Sequence, residues 1–144
     1  MNPPAATLRL HASAAAWCGR GILVRGASGA GKSAVVAGLL AAGAYLVADD
    51  LVRLDRRGGT LFAGPIAETG LIELRHNGIF RVATMIEVPV SLCVELAAEI
   101  AGERLPASAT VTIGGVEVPR LRLAGTAAAA VAQILITVVA RRAH

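Results

Sequence analysis

Apolar positions in this chain come in short runs separated by glycine or charged residues, which is the pattern of a protein rich in β-strands. Apolar and polar residues alternate over residues 7–11, and a second short run covers residues 14–18. We expect these two runs to pair with each other as a hairpin. A third apolar run, residues 22–25, predicts a buried strand.

The next stretch predicts a helix followed by another strand. Residues 32–42 are rich in alanine, valine and leucine and predict a helix, and Gly43 is placed to end it in a left-handed conformation. The apolar residues 45–48 then predict a strand. Because two strands joined by one helix almost always form a right-handed crossover, we expect the strands on either side of this helix to be parallel.

The second half of the chain adds strands and one more helix. Two Gly-Gly pairs, at residues 58–59 and 114–115, predict the turns of two hairpins. A C-terminal helix is predicted over residues 127–140, with Thr126 as its N-cap and Arg141-Arg142 favourably placed at its last turn. The strands predicted in this half cover residues 51–54, 60–62, 91–96, 110–113 and 116–123. The sequence therefore predicts a single α/β domain over residues 1–144, with a mixed sheet.

Composition narrows the choice of function. The formal charge of +4 is carried almost entirely by arginine, yet only 3% of the 144 residues are aromatic. Because the arginines are scattered and few rings are present for bases to stack on, we expect no nucleic-acid partner. The apolar run 127–140 contains Gln133 and is too short to span a bilayer comfortably, so we expect no membrane segment. Cys18 and Cys93 lack metal-ligand spacing, which predicts reduced core residues in a cytoplasmic protein.

The most informative segment is an octapeptide of the form G-x-x-x-x-G-K-[ST] between the predicted strand and the predicted helix. Its glycines let successive backbone N–H groups point into one concavity, and the following helix directs its positive end there. Its lysine is the only lysine of the chain and would reach the β- and γ-phosphates, while its serine would ligate Mg²⁺. The octapeptide consists of Gly26, Ala27, Ser28, Gly29, Ala30, Gly31, Lys32 and Ser33. It predicts a nucleoside triphosphate site of the P-loop (Walker A) type.

Two adjacent acids, Asp49 and Asp50, follow the predicted strand 45–48. Acids at the carboxyl end of a strand beside a phosphate loop face the crevice in which ligands bind in open α/β sheets. Adjacent side chains at a strand end cannot point the same way, so one acid would face the Mg²⁺-nucleotide and the other an attacking hydroxyl. The alternative is that the pair only forms a turn, because aspartate is common after strands.

Four ordered motifs resemble the C-terminal catalytic domain of the HPr kinase/phosphorylase family, in a short form that lacks the separate N-terminal domain. The octapeptide resembles the family's G-x-S-G-x-G-K-S loop, and residues 48–50 resemble its A-D-D strand end. His11, fifteen residues before the loop, resembles a histidine of the family. Residues 71–79 resemble its L-I/L-E-x-R-G-x-G-I stretch, with His76 in place of a glycine, and residues 115–119 resemble its G-V-x-x-P stretch.

The resemblance implies an ATP-dependent protein-serine kinase, also a phosphorylase, that regulates carbohydrate metabolism. Its partner would be HPr or an HPr-like phosphocarrier of a sugar or nitrogen phosphorelay, and the protein would be a homo-oligomer, since the family assembles as hexamers. The resemblance also implies the cofactor contacts. Ser33 and Glu73 would hold Mg²⁺, and Lys32 would stabilise the phosphoryl group as it moves.

The same resemblance implies the catalytic residues. Asp50 would take the serine proton, with Asp49 as the alternative, and His11 would lie near this pair and influence its proton affinity. Arg75 would act in both reactions. Without the resemblance, His11 is a lone histidine in an amphipathic strand, and Glu73 and Arg75 are the exposed face of a strand.

One departure from the family bears on the reverse reaction. The family's R-P-G-R-N segment, important in dephosphorylation, corresponds to residues 123–127, which contain no arginine. The nearest cations, Arg120 and Arg122, are most simply the polar face of an edge strand. We therefore expect kinase activity to exceed phosphorylase activity. Two other classes of function stay open: a non-catalytic ATP-sensing module that reports to a signalling partner, and a small-molecule kinase on the same scaffold.

Overall fold

The structure is a computed structural model that describes residues 6–26, 31–67, 70–74, 76–97, 110–124 and 127–139. Its strands are β1 (Ala6–Leu10), β2 (Ser13–Trp17), β3 (Arg20–Gly26), β4 (Tyr45–Ala48), β5 (Val52–Arg57), β6 (Thr60–Pro65), β7 (Leu71–Leu74), β8 (Gly78–Arg81), β9 (Val88–Leu96), β10 (Thr110–Ile113) and β11 (Val116–Leu123). Its helices are α1 (Lys32–Ala41) and α2 (Ala127–Val139). The predicted mixed α/β class is confirmed.

Nine of the described strands form one sheet, in the order β1-β5-β6-β9-β3-β2-β4, with β11 and then β10 attached to β9. The long strand β9 joins the part of the sheet formed by β1, β5 and β6 to the part formed by β3, β2 and β4. Its first residues pair antiparallel with β6, and its last residues pair in parallel with β11. On its other side β9 pairs in parallel with β3.

The segments with predicted chemistry lie at one side of this sheet, where several of its strands end. β3, β9 and β11 run parallel, and β2 runs antiparallel to both of its neighbours, β3 and β4. β3 and β4 are therefore parallel, as the strand–helix–strand pattern predicted, although β2 lies between them. It follows that the carboxyl ends of β3, β4, β9 and β11 reach the same edge of the sheet as the amino end of β2.

The predicted hairpin between the first two strands is wrong. β1 pairs with β5, whereas β2 pairs with β3 and β4. Residues 13–16 of β2 are almost completely buried, so this strand requires a neighbour on each side, while the more exposed β1 forms an end of the sheet. The hairpin forms instead between β2 and β3, through Cys18 (φ 50°) and Gly19 (φ 74°). Because Cys18 is exposed in this turn, its predicted core position is also wrong, while Cys93 is buried as predicted.

Other local predictions are confirmed. The two hairpins with Gly-Gly turns are β5–β6 and β10–β11. Helix α1 ends as expected at Gly43, which has φ 112°. The N–H groups of Gly43 and Ala44 donate to the carbonyls of Leu40 and Leu39, which is the hydrogen-bond pattern of a Schellman motif.

Two apolar cores cover the two faces of the sheet, and both helices pack on one of them. Alternate residues of β3 enter different cores: Ile22 and Val24 face α1 and α2, and Leu23 faces the opposite way. The helices meet closely at Gly38, where an added Cβ would lie 2.6 Å from Cγ2 of Val131.

Helix α2 is present as predicted, with Ala130, Ile134 and Val138 buried. The residues predicted to cap it, Thr126 and Arg141-Arg142, lie outside the described residues. Neither of the two described helices has the length and apolarity needed to cross a bilayer.

Candidate functional site

The predicted phosphate loop joins β3 to α1. β3 ends at Gly26, and α1 begins at Lys32 with Gly31 as its N-cap residue at φ 96°. Outside the described residues lie the four positions between them, Ala27, Ser28, Gly29 and Ala30. Among the described residues no side chain caps the helix, and its first turn contains no acid and an exposed Ser33. The first turn of α1 therefore has backbone N–H groups and a positive dipole end that none of these described side chains neutralises.

Lys32 extends from the start of α1 toward the acid pair. Its side chain is 18% exposed, and its Nζ lies 4.0 Å from Oδ1 of Asp50, whose side chain is 80% exposed. The two charges attract at this distance, although water weakens the attraction at so exposed an acid. The only lysine of the chain thus lies beside one of the two acids.

The two acids point apart because the backbone turns sharply between them. Asp50 has a φ of 64°, and the N–H of Leu51 donates to the carbonyl of Asp49 at 2.8 Å, which closes a γ-turn around Asp50. The Asp49 carboxylate accepts a hydrogen bond from Oγ of Ser13 at 3.0 Å, and the exposed Asp50 carboxylate faces Lys32. The geometry separates the two side chains, as the sequence argument expected.

Ser13 is a site residue that the sequence analysis missed. It is 1% exposed, and its hydroxyl contacts both acids: it donates to Asp49 and accepts the backbone N–H of Asp50 at 3.1 Å. The available signal was a single serine in a run of alanines at residues 12–16. No local pattern connects this serine to acids that lie 36 and 37 positions further along the chain.

His11 lies two residues before Ser13, at the same edge of the sheet. It lines a cavity of about 520 Å³ together with residues from the carboxyl ends of β3, β9 and β11. The charged lining residues of this cavity, named here the arginine cavity, are His11, Arg25, Glu95, Arg120 and Arg122. Gly26, the first residue of the predicted phosphate loop, also lines it. The structure therefore brings His11 to three arginines that the sequence analysis had not associated with it.

Glu73 lies on a separate two-stranded ribbon formed by β7 and β8. Ile72 packs into the core that contains α1, and the neighbouring Glu73 is exposed. Arg75 lies outside the described residues. His76, which replaces a glycine by the family resemblance, has a φ of 69° in the turn of this ribbon. The roles predicted for Glu73 and Arg75 stay predictions.

A second cavity, of about 660 Å³, opens beside Asp49. It lies between the end of β4 and residues 81–86, a segment held to the strand by backbone hydrogen bonds of Leu46 with Ala83 and Met85. Most of the residues that line it are of apolar type, and Asp49 and Arg81 are its charged members. This cavity provides space for a substrate group next to the acid pair.

The fold is that of a known mixed α/β domain. It matches a solved structure described as "Structure of the Hpr(Ser) kinase/phosphatase from Coxiella burnetii" with a TM-score of 0.77, covering 90% of this chain and 94% of that one at 24% sequence identity. A sequence model described as "HPr Serine kinase C-terminal domain" matches residues 4–144. The chain belongs to the HPr serine kinase C-terminal domain family, as its motifs predicted.

Curated relatives lie in the same family. The HPr kinase/phosphorylase of Chlorobium limicola is 33% identical over 127 residues, which is 78% of this chain and 38% of the relative. The HPr kinase/phosphorylase of Clostridium tetani is 38% identical over 78 residues, and that of Azoarcus sp. is 39% identical over 69 residues. These two matches cover 54% and 46% of this chain and 26% and 22% of the relatives. The chain thus spans well under half of the length of the curated relatives it matches.

Proposed function

We propose that this domain is an ATP- and Mg²⁺-dependent kinase that phosphorylates a serine of HPr or of an HPr-like phosphocarrier. Family membership supports the class of reaction. The observation that carries the proposal is the 4.0 Å approach of Lys32 to Asp50, because it brings the cation of the predicted phosphate loop to a candidate base. The buried hydroxyl of Ser13 supports the same site by fixing the turn that carries both acids.

The residues at the start of α1 fit a nucleotide and a metal ion. The uncapped helix end offers backbone N–H groups to phosphates, and Lys32 adds a positive charge. Mg²⁺, when bound, supplies charge neutralisation on the phosphates, and we expect Ser33 and Glu73 to hold it. Across the described residues no group of three or more His, Cys, Asp or Glu could hold a metal ion. A Mg²⁺ held mainly by phosphates and few protein ligands is consistent with this arrangement.

In the proposed reaction, Asp50 accepts the proton of the serine hydroxyl while that oxygen attacks the γ-phosphorus and ADP leaves. An exposed base suits a hydroxyl that is carried by another protein, and the Asp50 side chain is 80% exposed. Lys32 offsets the negative charge that gathers on the transferred phosphoryl group. Asp49, held by Ser13, keeps the turn in place and is the alternative base.

The test is transfer of label from γ-labelled ATP to a serine of purified HPr in the presence of Mg²⁺. We expect Lys32→Ala to weaken ATP binding, and Asp50→Asn to reduce transfer by about 10² to 10⁴ while ATP affinity changes only a few-fold. Asp55→Asn is the matched control, because Asp55 lies on β5 and pairs with Thr7 and Arg53 away from the loop.

The outcomes separate the candidate functions. Lys32-dependent ATP binding without any transfer would favour the ATP-sensing module over the kinase. Equal transfer by the wild type, Lys32→Ala and Asp50→Asn would contradict the proposed site. If Asp49→Asn caused the loss and Asp50→Asn did not, the assignment of the base within the pair would be reversed.

We also propose that the protein is a homo-oligomer, and a hexamer by its resemblance to the family. Helix α2 supports self-association because Ile136 and Val139 are 65% and 51% exposed on its outer face. Sedimentation velocity of the wild type and of Ile136→Gln tests this. A monomeric wild type at micromolar concentration would contradict the proposal.

A further inference from the structure

A small cavity, of about 140 Å³, lies where helices α1 and α2 begin. Its walls are the first turns of the two helices and the residues at the carboxyl ends of β9 and β11. The helices approach each other closely at Gly38 and Val131, further along both of them, so the space between the helices closes beyond the cavity. The floor of the cavity is apolar and buried, and it consists of Val35, Leu96, Leu123 and Ala130.

The size and lining of this cavity suit one aromatic ring system. An apolar cavity of about 150 Å³ with aliphatic walls stays free of water and can bind benzene. None of the described residues that line the present cavity has a polar side chain, so water inside it would find few hydrogen-bond partners. Gly31 and Ala34, at its rim, are exposed, so a ring can enter from the solvent.

The cavity and the acid pair lie on opposite sides of the predicted phosphate loop. Strand β3, which leads into the loop, has β2 and β4 on one side and β9 and β11 on the other. Asp50 follows β4, whereas the cavity lies at the ends of β9 and β11. Gly31, the N-cap residue of α1, is part of the cavity wall. A triphosphate at the start of α1, with its transferred group beside Lys32 and Asp50, would therefore direct its other end toward the cavity.

We propose that this cavity holds the base of the bound nucleoside triphosphate, and that it accepts adenine and guanine alike, a specificity that rests on the kinase function proposed above. A protein distinguishes such ligands strongly only when its polar groups hydrogen-bond to one of them. The described side chains of the cavity offer no such group. The N–H of Ala97, at the wall, already donates to the carbonyl of Leu123 at 2.9 Å. Contact with aliphatic walls stabilises either purine by a similar amount.

Calorimetric titrations of the full chain in Mg²⁺ buffer test this with three ligands: ATP, GTP and inorganic tripolyphosphate, which has the three phosphates but no base. Two substitutions narrow the cavity from different walls: Ala127→Leu at the start of α2, and Ala97→Leu just after β9. Ala128→Leu is the matched control, because Ala128 is the next residue of α2 and is exposed outside the cavity. Thermal unfolding verifies that each variant is folded.

We expect the wild type and Ala128→Leu to bind ATP and GTP with affinities that agree within about three-fold. Ala127→Leu and Ala97→Leu should bind both nucleotides about ten-fold more weakly, because the leucine displaces a ring from apolar contact, and should bind tripolyphosphate as the wild type does. Equal ATP affinity of all three variants, or an equal loss of tripolyphosphate affinity, would overturn the proposal. A preference of the wild type for one purine of about ten-fold or more would overturn it as well.

The same proteins distinguish failure of this proposal from failure of the kinase proposal. If the two cavity variants lose ATP affinity selectively but the wild type transfers no label to HPr, the base site stands and the kinase proposal is contradicted. If label is transferred and the ATP affinity is the same in all variants, the kinase proposal stands and the base site is contradicted. A wild type that binds no ATP contradicts both.

Discussion

Replacing Ser13 by alanine removes a hydroxyl that contacts both acids of the candidate site. In the wild-type protein this hydroxyl donates to the Asp49 carboxylate and accepts the N–H of Asp50. Alanine leaves the volume of the strand nearly unchanged, and the neighbouring residues 14–16 are already alanine. The substitution therefore isolates the two hydrogen bonds from any change in apolar packing.

The expected loss of stability follows from these two bonds. A hydrogen bond to an ionised carboxylate contributes about 1.5–3 kcal/mol, and an unpaired buried N–H costs about 1–3 kcal/mol. Because Asp49 is only half-buried and Asp50 is exposed, water replaces part of both interactions. We expect the free energy of unfolding to fall by about 2–3 kcal/mol, which corresponds to a Tm lower by roughly 6–9 °C for a domain of this size.

Urea and thermal unfolding, followed by circular dichroism, measure this loss. The matched control is Ser91→Ala, because Ser91 is a half-buried serine on β9 whose hydroxyl makes no hydrogen bond to another described residue. If the kinase proposal also holds, Ser13→Ala should slow phosphoryl transfer at least ten-fold while ATP affinity changes little. The reasoning is refuted if the two variants unfold within about 0.5 kcal/mol of each other, the usual range for uninvolved surface positions.

Three further predictions concern packing, thiol chemistry and the reverse reaction. A methyl group at Gly38 would lie 2.6 Å from Cγ2 of Val131, so Gly38→Ala should lower the free energy of unfolding by about 1–3 kcal/mol in urea denaturation, and Val131→Ala should relieve the effect. Burial raises the pKa of Cys93 from 9.0 to about 11, whereas Cys18 is exposed; a maleimide at pH 8 should label Cys18 in the folded protein and Cys93 only after unfolding. The contribution of the protonated Cys93 thiol to the free energy of unfolding is fully present below pH 9.0. It should be lost as the pH rises toward 11, because the thiol ionises at a lower pH in the unfolded chain than in the folded protein. Finally, pyrophosphate release from phosphorylated carrier should be slower than forward transfer, and equal rates would show that other cations replace the missing R-P-G-R-N segment.

Sequence patterns predicted the parts of the fold that depend on neighbouring residues. The Gly-Gly pairs fix two hairpins, and Gly43 ends α1 because a glycine adopts a positive φ without strain. The partners of β1 and β2 could not be read in this way. Both strands are short, and β1 pairs with β5 while β2 pairs with β4. These pairings depend on how deeply each strand is buried in the sheet, which no short stretch of the sequence reveals.

The candidate site also contains residues that local sequence patterns predicted and residues that they did not. Lys32 and the two acids could be predicted because a motif and a strand end mark them within one helix of each other. Ser13 could not, because its hydrogen bonds join strands that are distant in sequence. The arginine cavity could not either, since Arg25 and Glu95 lie 70 positions apart and meet only through the register of β3 and β9. From the sequence alone, Arg120 and Arg122 are therefore interpreted only as the polar face of a strand, because the neighbouring strand is not known.

The pairing of β3 with β9 also affects the order in which the strands of the sheet can pair during synthesis. β2 is available to β3 as soon as the turn between them has left the ribosome, but the strand on its other side ends at Leu96, in register with Gly26. Until that residue emerges, the strand that leads into the phosphate loop has one edge of unpaired backbone groups, which is a template for association with other chains. Closing so long a loop is slow, so the end of the sheet that carries the predicted phosphate loop should form late and be the part of the nascent protein most exposed to chaperones.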